Sequence, residues 1–147
     1  MRKILLSASV VLFWAMPVYT QKITKPSAEQ ELKKLSNDWM IAAMNRDENT
    51  LNKIVAAEFK LGGTNLDNPG ITRGVWMKNT MENLKIDSIK YIKIQVDLVE
   101  NIAIVQSVFY WSVSFRDMPA KKDTVNLVDI WIRRNKTWQV LSRLVAD

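Results

Sequence analysis

The sequence predicts an α+β fold in which a strongly curved antiparallel sheet wraps helices that come first in the chain. Two observations support this prediction. Up to about residue 84 apolar residues recur at helical spacing, and from Ile86 onward they recur at alternate positions, as in strands. Helices followed by strands are typical of α+β domains. The 147-residue chain shows no internal repeat, and after a leader at 1–20 it predicts a single domain over 21–147.

The first twenty residues have the pattern of a secretory signal peptide. Positions 2 and 3 are basic, and residues 4–16 form an uncharged, mostly apolar run that a proline ends. A membrane-spanning helix needs roughly 20 apolar residues, so this run is too short to be one, and we expect no membrane span. The charged-then-apolar order favours an export signal. We therefore predict cleavage after Thr20 and a periplasmic or secreted protein, with an uncleaved N-terminal anchor as the alternative.

Three helices are predicted before the sheet. A capping-box pattern at Ser27 and Gln30 begins the first of them. The second is predicted over residues 50–59 and the third over 75–84. Between these two, residues 62–74 contain all four glycines and lack apolar periodicity, which predicts a loop. We interpret this loop either as a lid over a binding site or as a plain surface excursion.

Four antiparallel strands in a meander are predicted from residue 86 to the end of the chain. The central strands are apolar on both faces. An antiparallel sheet that covers helices on one side normally presents a polar face to water on the other. A second apolar face therefore indicates a partner, most simply another copy of the chain. We predict a homodimer that forms through the outer face of the sheet.

Two absences in the composition restrict the chemistry. The chain has no histidine and no cysteine, which excludes Ser-His-Asp triads, Cys-His pairs, metal sites built on these residues, and disulfides. Acid–base chemistry would therefore fall to Asp, Glu, Lys or Tyr, and we expect neither a metal nor a cofactor. The net charge of +6 arises from basic residues that are interleaved with acidic ones, so nucleic-acid binding is not expected.

Residues 27–146 resemble the nuclear transport factor 2-like (NTF2-like) superfamily, and more narrowly its small bacterial SnoaL-like and DUF4440-type branch. The segments that match are LSNDWMIAAMNRDENTLNKIV, TRGVWM and VDIWIRRNKTWQVLSR. The resemblance implies a cone-shaped α+β barrel whose open end forms an apolar pocket. It also implies dimerisation through the outer face of the sheet.

Asp129 is the residue that invites a functional interpretation, because it lies between apolar neighbours in a strand. By alternation it shares a face with Leu127 and Trp131. In the ketosteroid isomerase branch of the superfamily, the matching strand position carries a protonated acid that donates to an oxyanion. Burial disfavours the charged form of a carboxyl group and raises its pKa, so a neutral donor at this position is physically reasonable.

The rest of that catalytic machinery is missing. The resemblance places the oxyanion tyrosine at Trp39 and the general-base aspartate near Gly63, with Asp67 four residues further on in the loop. Many relatives carry a pocket histidine where this chain has Leu144. The sequence therefore favours a purely binding role for Asp129, or a structural carboxylate that pairs with Arg143, with an indole N–H or with backbone amides.

We therefore predict a domain that binds a small apolar or amphipathic molecule without transforming it. Its predicted ligand-binding residues are Trp39, Trp76, Trp131 and Leu144, with Asp129 as the polar point of the pocket. One alternative is an isomerase, dehydratase or cyclase that uses Asp129 as its acid and Asp67 or a substrate group as its base. The other alternative is a protein-interaction module whose pocket is filled by its own side chains.

Overall fold

The computed structural model describes residues 27–63 and 70–146, which form three helices and six strands. The elements are α1 (Ala28–Asn45), α2 (Glu48–Ile54), β1 (Val55–Gly63), β2 (Ile71–Thr72), α3 (Arg73–Glu82), β3 (Leu84–Val99), β4 (Ile102–Phe115), β5 (Lys121–Arg134) and β6 (Thr137–Ala146). The predicted signal peptide at 1–20 and the loop residue Asp67 lie outside the described residues. No helix in the described ranges is long and apolar enough to cross a membrane.

The strands form one sheet in the order β2-β1-β6-β5-β4-β3. Neighbours from β3 to β6 are antiparallel, which confirms the predicted meander and the α+β class. β1 runs parallel to β6 and antiparallel to β2. The sheet is therefore mixed, whereas the sequence predicted an antiparallel one. It is also open, because β2 and β3 are its edge strands.

The boundaries of the second helix and of the loop differ from the prediction. α2 ends at Ile54, and residues 55–59 belong to β1. Phe59 is buried on β1, so pairing with β6 overrides the helical propensity of this segment. In the predicted loop 62–74, only residues 64–69 lie outside the described ranges, because Ile71–Thr72 form β2 and α3 begins at Arg73. The interpretation of the loop as a lid stays a prediction.

α1 begins at the capping box that the sequence predicts. The Ser27 hydroxyl accepts a hydrogen bond from the Gln30 amide at 3.2 Å, and the Ser27 amide donates to Gln30 Oε1 at 3.1 Å. These two bonds satisfy backbone donors that a helix N-terminus otherwise leaves unpaired. The helix then turns Leu32, Trp39 and Met40 into the core.

Four aromatic rings from the helices and the sheet form the centre of the core. Trp39 of α1 contacts Phe59 of β1, Trp76 of α3 and Trp131 of β5, with ring centroids 5.8, 5.8 and 6.1 Å away. Phe59 and Trp76 also contact each other at 5.4 Å. The edge-on and tilted arrangements are those that aromatic quadrupoles favour. This cluster fixes α1 and α3 against the inner face of the sheet.

A β-bulge in β6 decides which of its later side chains face the helices. On one side of the bulge Trp131 pairs with Val140, and on the other Asp129 pairs with Arg143, so that Leu141 is the extra residue. Because side chains alternate along a strand, one extra residue reverses the direction of every side chain that follows. The bulge thereby brings Arg143 onto the inner face, opposite Asp129.

Candidate ligand-binding site

A cavity of about 280 Å³ lies between the helices and the inner face of the sheet. Most of its wall is apolar and comes from both the helices and the sheet, for example Ala43 of α1, Trp76 of α3 and Phe109 of β4. The polar side chains in the wall are those of Asn79, Thr80 and Arg143. A concave apolar site with a few convergent polar groups is the usual form of a small-molecule site.

Arg143 is the charged residue of the cavity wall, and Asp129 lies behind it. The guanidinium Nε donates to Asp129 Oδ1 at 2.7 Å, and Nη2 donates to Oδ2 at 2.8 Å. Both residues are enclosed by protein, with exposed fractions of 7% for Arg143 and 0% for Asp129. This bidentate geometry is the strongest form of an arginine–carboxylate contact.

Two further contacts fix the plane of the guanidinium group. Arg143 Nη1 contacts the Met40 sulfur at 3.1 Å. The Arg143 Cζ atom lies 3.8 Å from the centre of the Trp39 ring, within the range of a cation–π contact. The aromatic face and the sulfur are both soft, apolar surroundings, so the pair with Asp129 supplies the counter-charge that this buried cation needs.

The protonation states of the pair follow from its geometry. Burial raises the pKa of Asp129, and the charge and hydrogen bonds of Arg143 act in the opposite direction. Burial alone would lower the pKa of Arg143, but the charges and hydrogen bonds of Asp129 and Tyr91 together outweigh burial and raise this pKa. Both Asp129 oxygens accept N–H groups from Arg143, a bidentate arrangement that favours the ionised carboxylate over the protonated acid. We therefore describe the pair as ionised.

Tyr91 of β3 joins this cluster from the side of α1. Its hydroxyl donates to the Ser36 carbonyl at 3.1 Å. Burial raises the pKa of Tyr91 to about 12, against a smaller opposing effect of the Arg143 charge. The phenol is therefore neutral at physiological pH and serves as a hydrogen-bonding group.

The structure brings only some of the predicted site residues to the cavity. Trp76 lines it, whereas Trp39 and Trp131 are fully buried in the aromatic core and Asp129 lies behind Arg143. The expectation for Leu144 needs correction. Its side chain is on the outer face of the sheet and 38% exposed, because the bulge in β6 reverses the alternation that would otherwise point it inward.

Arg143 is the site residue that the sequence analysis did not assign to the pocket. It entered only as one of three structural partners for Asp129, and the structure selects it over the indole groups. The buried Nε1 atoms of Trp39, Trp131 and Trp138 have no hydrogen-bond partner among the described residues. The signal that could have found Arg143 is its pairing with Asp129 across the β5–β6 hairpin.

The cavity wall offers little for acid–base catalysis. Within the described ranges, Arg143 is its only ionisable residue, and its raised pKa makes it a permanent cation. The described residues also contain no group of three or more Asp or Glu side chains that could hold a metal ion. The arrangement can enclose an apolar molecule and donate hydrogen bonds to it.

Comparison with solved structures shows an NTF2-like fold. An NTF2-like protein from Cytophaga hutchinsonii ATCC 33406 matches with a TM-score of 0.71 at 8% identity, over 79% of this chain and 94% of that one. The association domain of C. elegans CaMKII matches with a TM-score of 0.64 at 11% identity, over 80% and 94%. A candidate ketosteroid isomerase from Shewanella frigidimarina NCIMB 400 matches with a TM-score of 0.58 at 11% identity, over 76% and 91%.

These matches confirm the fold that the resemblance implied. The chain is a small α+β protein with the NTF2-like fold. No protein-family model matches its sequence, and no curated protein does. The narrower SnoaL-like and DUF4440-type assignment therefore stays a prediction.

Proposed function

We propose that this domain binds a small apolar or amphipathic molecule in the cavity and does not transform it. The observation that carries the proposal is the Arg143–Asp129 pair at a wall that is mostly apolar. The polar point of the pocket is then Arg143, and Asp129 is its positioning residue. The volume of about 280 Å³ lies just below the usual range of roughly 300–1,000 Å³ for ligand pockets, so the ligand is small.

The chemistry of the pair limits the polar group of the ligand. A guanidinium has five N–H groups; Asp129 takes two, the Met40 sulfur a third, and Tyr91 can take a fourth. At least one N–H is left for an acceptor in the cavity. Because the pair is neutral as a whole, a second buried negative charge would lack compensation. The ligand that fits best carries an uncharged acceptor, such as a carbonyl oxygen, on an apolar body.

Native mass spectrometry tests this proposal directly. The protein is purified gently from the envelope fraction of its own host and measured before and after denaturation. We expect a discrete additional mass that denaturation removes. In Ala43→Leu, which fills part of the cavity, this mass is lost. In Ala57→Leu, at an exposed position of β1, it is retained. Equal retention in both variants would place the ligand elsewhere and contradict the proposal.

One feature of Asp129 supports the absence of catalysis in this proposal. The ketosteroid isomerase branch needs a carboxylic acid that keeps its proton, and here both Asp129 oxygens accept hydrogen bonds from Arg143. The enzyme alternative predicts that Asp129→Asn abolishes turnover with little loss of stability. The buried Arg143–Asp129 pair instead predicts a large loss of stability in Asp129→Asn. This one variant therefore distinguishes the binding proposal from the enzyme alternative.

A homodimer that forms through the outer face of the sheet is also part of the proposal. Apolar side chains on this face, such as Ile104 and Ile130, are only partly covered in the single chain. One structural neighbour is itself an association domain, which supports self-assembly. Sedimentation equilibrium would give a dimer mass, and a monomer at high micromolar concentration would contradict this part.

We place the protein in the periplasm or outside the cell, on the strength of the signal-peptide pattern at 1–20. This proposal stands apart from the ligand and the dimer. Mass spectrometry of the protein from its host would show a new N-terminus after Thr20. A full-length chain in the cytoplasmic fraction would contradict it.

A further inference from the structure

The outer face of the sheet has a simple order across its strands. Strand pairing groups its side chains into rows that run perpendicular to the strands. The central row consists of Gln95, Gln106, Val128 and Leu144. The row on one side, the acidic row, consists of Asp97, Ile104 and Ile130, and the row on the other side, the basic row, consists of Lys93, Val108 and Asn126.

The central and basic rows border a shallow depression on this face. Its volume is about 200 Å³, and its side chains are Lys93, Gln95, Gln106, Val108, Asn126 and Val128. The acidic row continues the face with two isoleucines. The surface is thus apolar over much of its area, with amides at the centre and one charge in each flanking row.

The charges of Lys93 and Asp97 are a further feature of this face. Lys93 and Asp97 lie on the same face of β3, four residues apart, which is about 13 Å along a strand. Neither forms an ion pair with another residue in the part of the chain that the structure describes. Both side chains are exposed. A partner that carries an acid opposite Lys93 and a base opposite Asp97 would therefore match the charges of this face.

A second copy of the chain meets this requirement for one placement of the two-fold axis. When two copies pack face to face, the axis lies in the interface, and residues on it meet their own counterparts. With the axis along the central row, the basic row of one copy faces the acidic row of the other. Lys93 then lies opposite Asp97 of the second copy, twice per dimer, and Val108 lies opposite Ile104 of the second copy.

The side chains on such an axis also have to tolerate their own copies. A glutamine amide both donates and accepts, so Gln106 can pair with Gln106 of the second copy. Valine and leucine pack against themselves without cost. An axis along β4 instead would place Asp97 against Ile130 of the second copy and leave its charge unpaired, which is costly. The charge pattern therefore favours an axis along the central row over one along β4.

We propose that a second copy of this chain docks on the outer sheet face, with the two-fold axis along the central row and reciprocal Lys93–Asp97 pairs. This inference rests on the homodimer of the proposed function and adds its geometry and its specificity residues. The apolar rows supply most of the affinity, and the two ion pairs fix the register, as complementary charges commonly do at interfaces.

Charge reversal tests the axis. Lys93→Asp and Asp97→Lys each put like charges opposite one another at two places, so each weakens the dimer by about tenfold or more. The double variant restores opposite charges and brings the dissociation constant back to within about threefold of the unaltered protein. The matched control is Lys78→Asp on the exposed side of α3, which changes the net charge equally and leaves the dimer unaffected. Sedimentation equilibrium measures all four variants.

A variant on the axis itself gives an independent check. Gln106→Glu brings two carboxylates together at the two-fold axis and weakens the dimer, more strongly at low salt. A dimer that none of these changes weakens would overturn the proposed axis while the homodimer stands. A double variant as weak as the single ones would overturn it as well. A monomeric unaltered protein would refute the homodimer and the axis together. It would leave the ligand-binding proposal standing, because native mass spectrometry tests that proposal independently.

Discussion

Replacing Asp129 by asparagine should destabilise the fold substantially. The change keeps the shape of the side chain but removes the counter-charge of Arg143, which is 7% exposed and has no other acid at hydrogen-bond distance among the described residues. Loss of one partner from a buried pair costs about 3–5 kcal/mol. Asparagine retains one acceptor oxygen, so we expect about 3 kcal/mol, a large share of the 5–15 kcal/mol that typically holds a domain folded.

Urea unfolding followed by tryptophan fluorescence measures this loss. The matched control is Asp123→Asn on the same strand, whose ion pair with Lys121 is exposed at the surface; it should leave the unfolding midpoint nearly unchanged. A second comparison is Asp129→Leu combined with Arg143→Met. This double variant has no buried charge, and replacing a buried pair by apolar residues is often neutral or stabilising, so it should be more stable than Asp129→Asn.

Two results would refute the reasoning. A loss below about 1 kcal/mol in Asp129→Asn would mean that Arg143 does not depend on this carboxylate for its charge balance. A double variant less stable than Asp129→Asn would mean that the pair contributes more than it costs to bury. If the first result came with abolished turnover of some substrate, the enzyme alternative would replace the binding function.

Three further predictions concern separate parts of the molecule. The pKa of Tyr91 is raised from 10.0 to about 12. Its stabilising contribution is therefore complete below pH 10 and falls by about 1.4 kcal/mol per pH unit between pH 10 and 12. The difference in unfolding free energy between the unaltered protein and Tyr91→Phe should show this slope, and a constant difference would contradict it. Ser27→Ala removes the capping box of α1 and should cost about 1 kcal/mol in urea unfolding, whereas no change would show that the first turn does not depend on its cap. Gly70 has a φ of +71°, and a Cβ added there would lie 2.7 Å from the Leu61 carbonyl oxygen, so Gly70→Ala should lower stability by about 2 kcal/mol or more; an unchanged unfolding midpoint would contradict this.

The elements that the sequence predicts well are those with long, unbroken periodicity. α1 has a capping box and one apolar stripe, and β4 and β5, which pair without a register shift, are 14 residues long each. The error at residues 55–59 has a different origin. That segment carries helix-compatible residues, and only its pairing with β6, about eighty residues away in sequence, makes it a strand. Such distant pairing cannot be read from local pattern.

Of the residues predicted for the pocket, Trp76 lines the cavity and Asp129 lies directly behind its wall. Asp129 was correctly placed on the inner face, because no irregularity separates it from Leu127. Counting outward from the hairpin pair Arg134–Thr137 without a bulge would set Asp129 opposite residue 142. The bulge moves that partner to Arg143 and turns Leu144 outward. A single extra residue, invisible to periodicity, thus accounts for both the missed arginine and the misplaced leucine.

The same bulge has a consequence for how the chain avoids misfolding. A β5–β6 hairpin without the bulge would have equally regular strand pairing, and apolar side chains would still lie on both of its faces. In that register Arg143 would face away from the helices, and Asp129 would enter the core as a lone charge. A lone buried carboxylate costs far more than any strand gains from regular pairing. Asp129 therefore disfavours the bulge-free register of the hairpin, because in that register its buried charge would lie without Arg143.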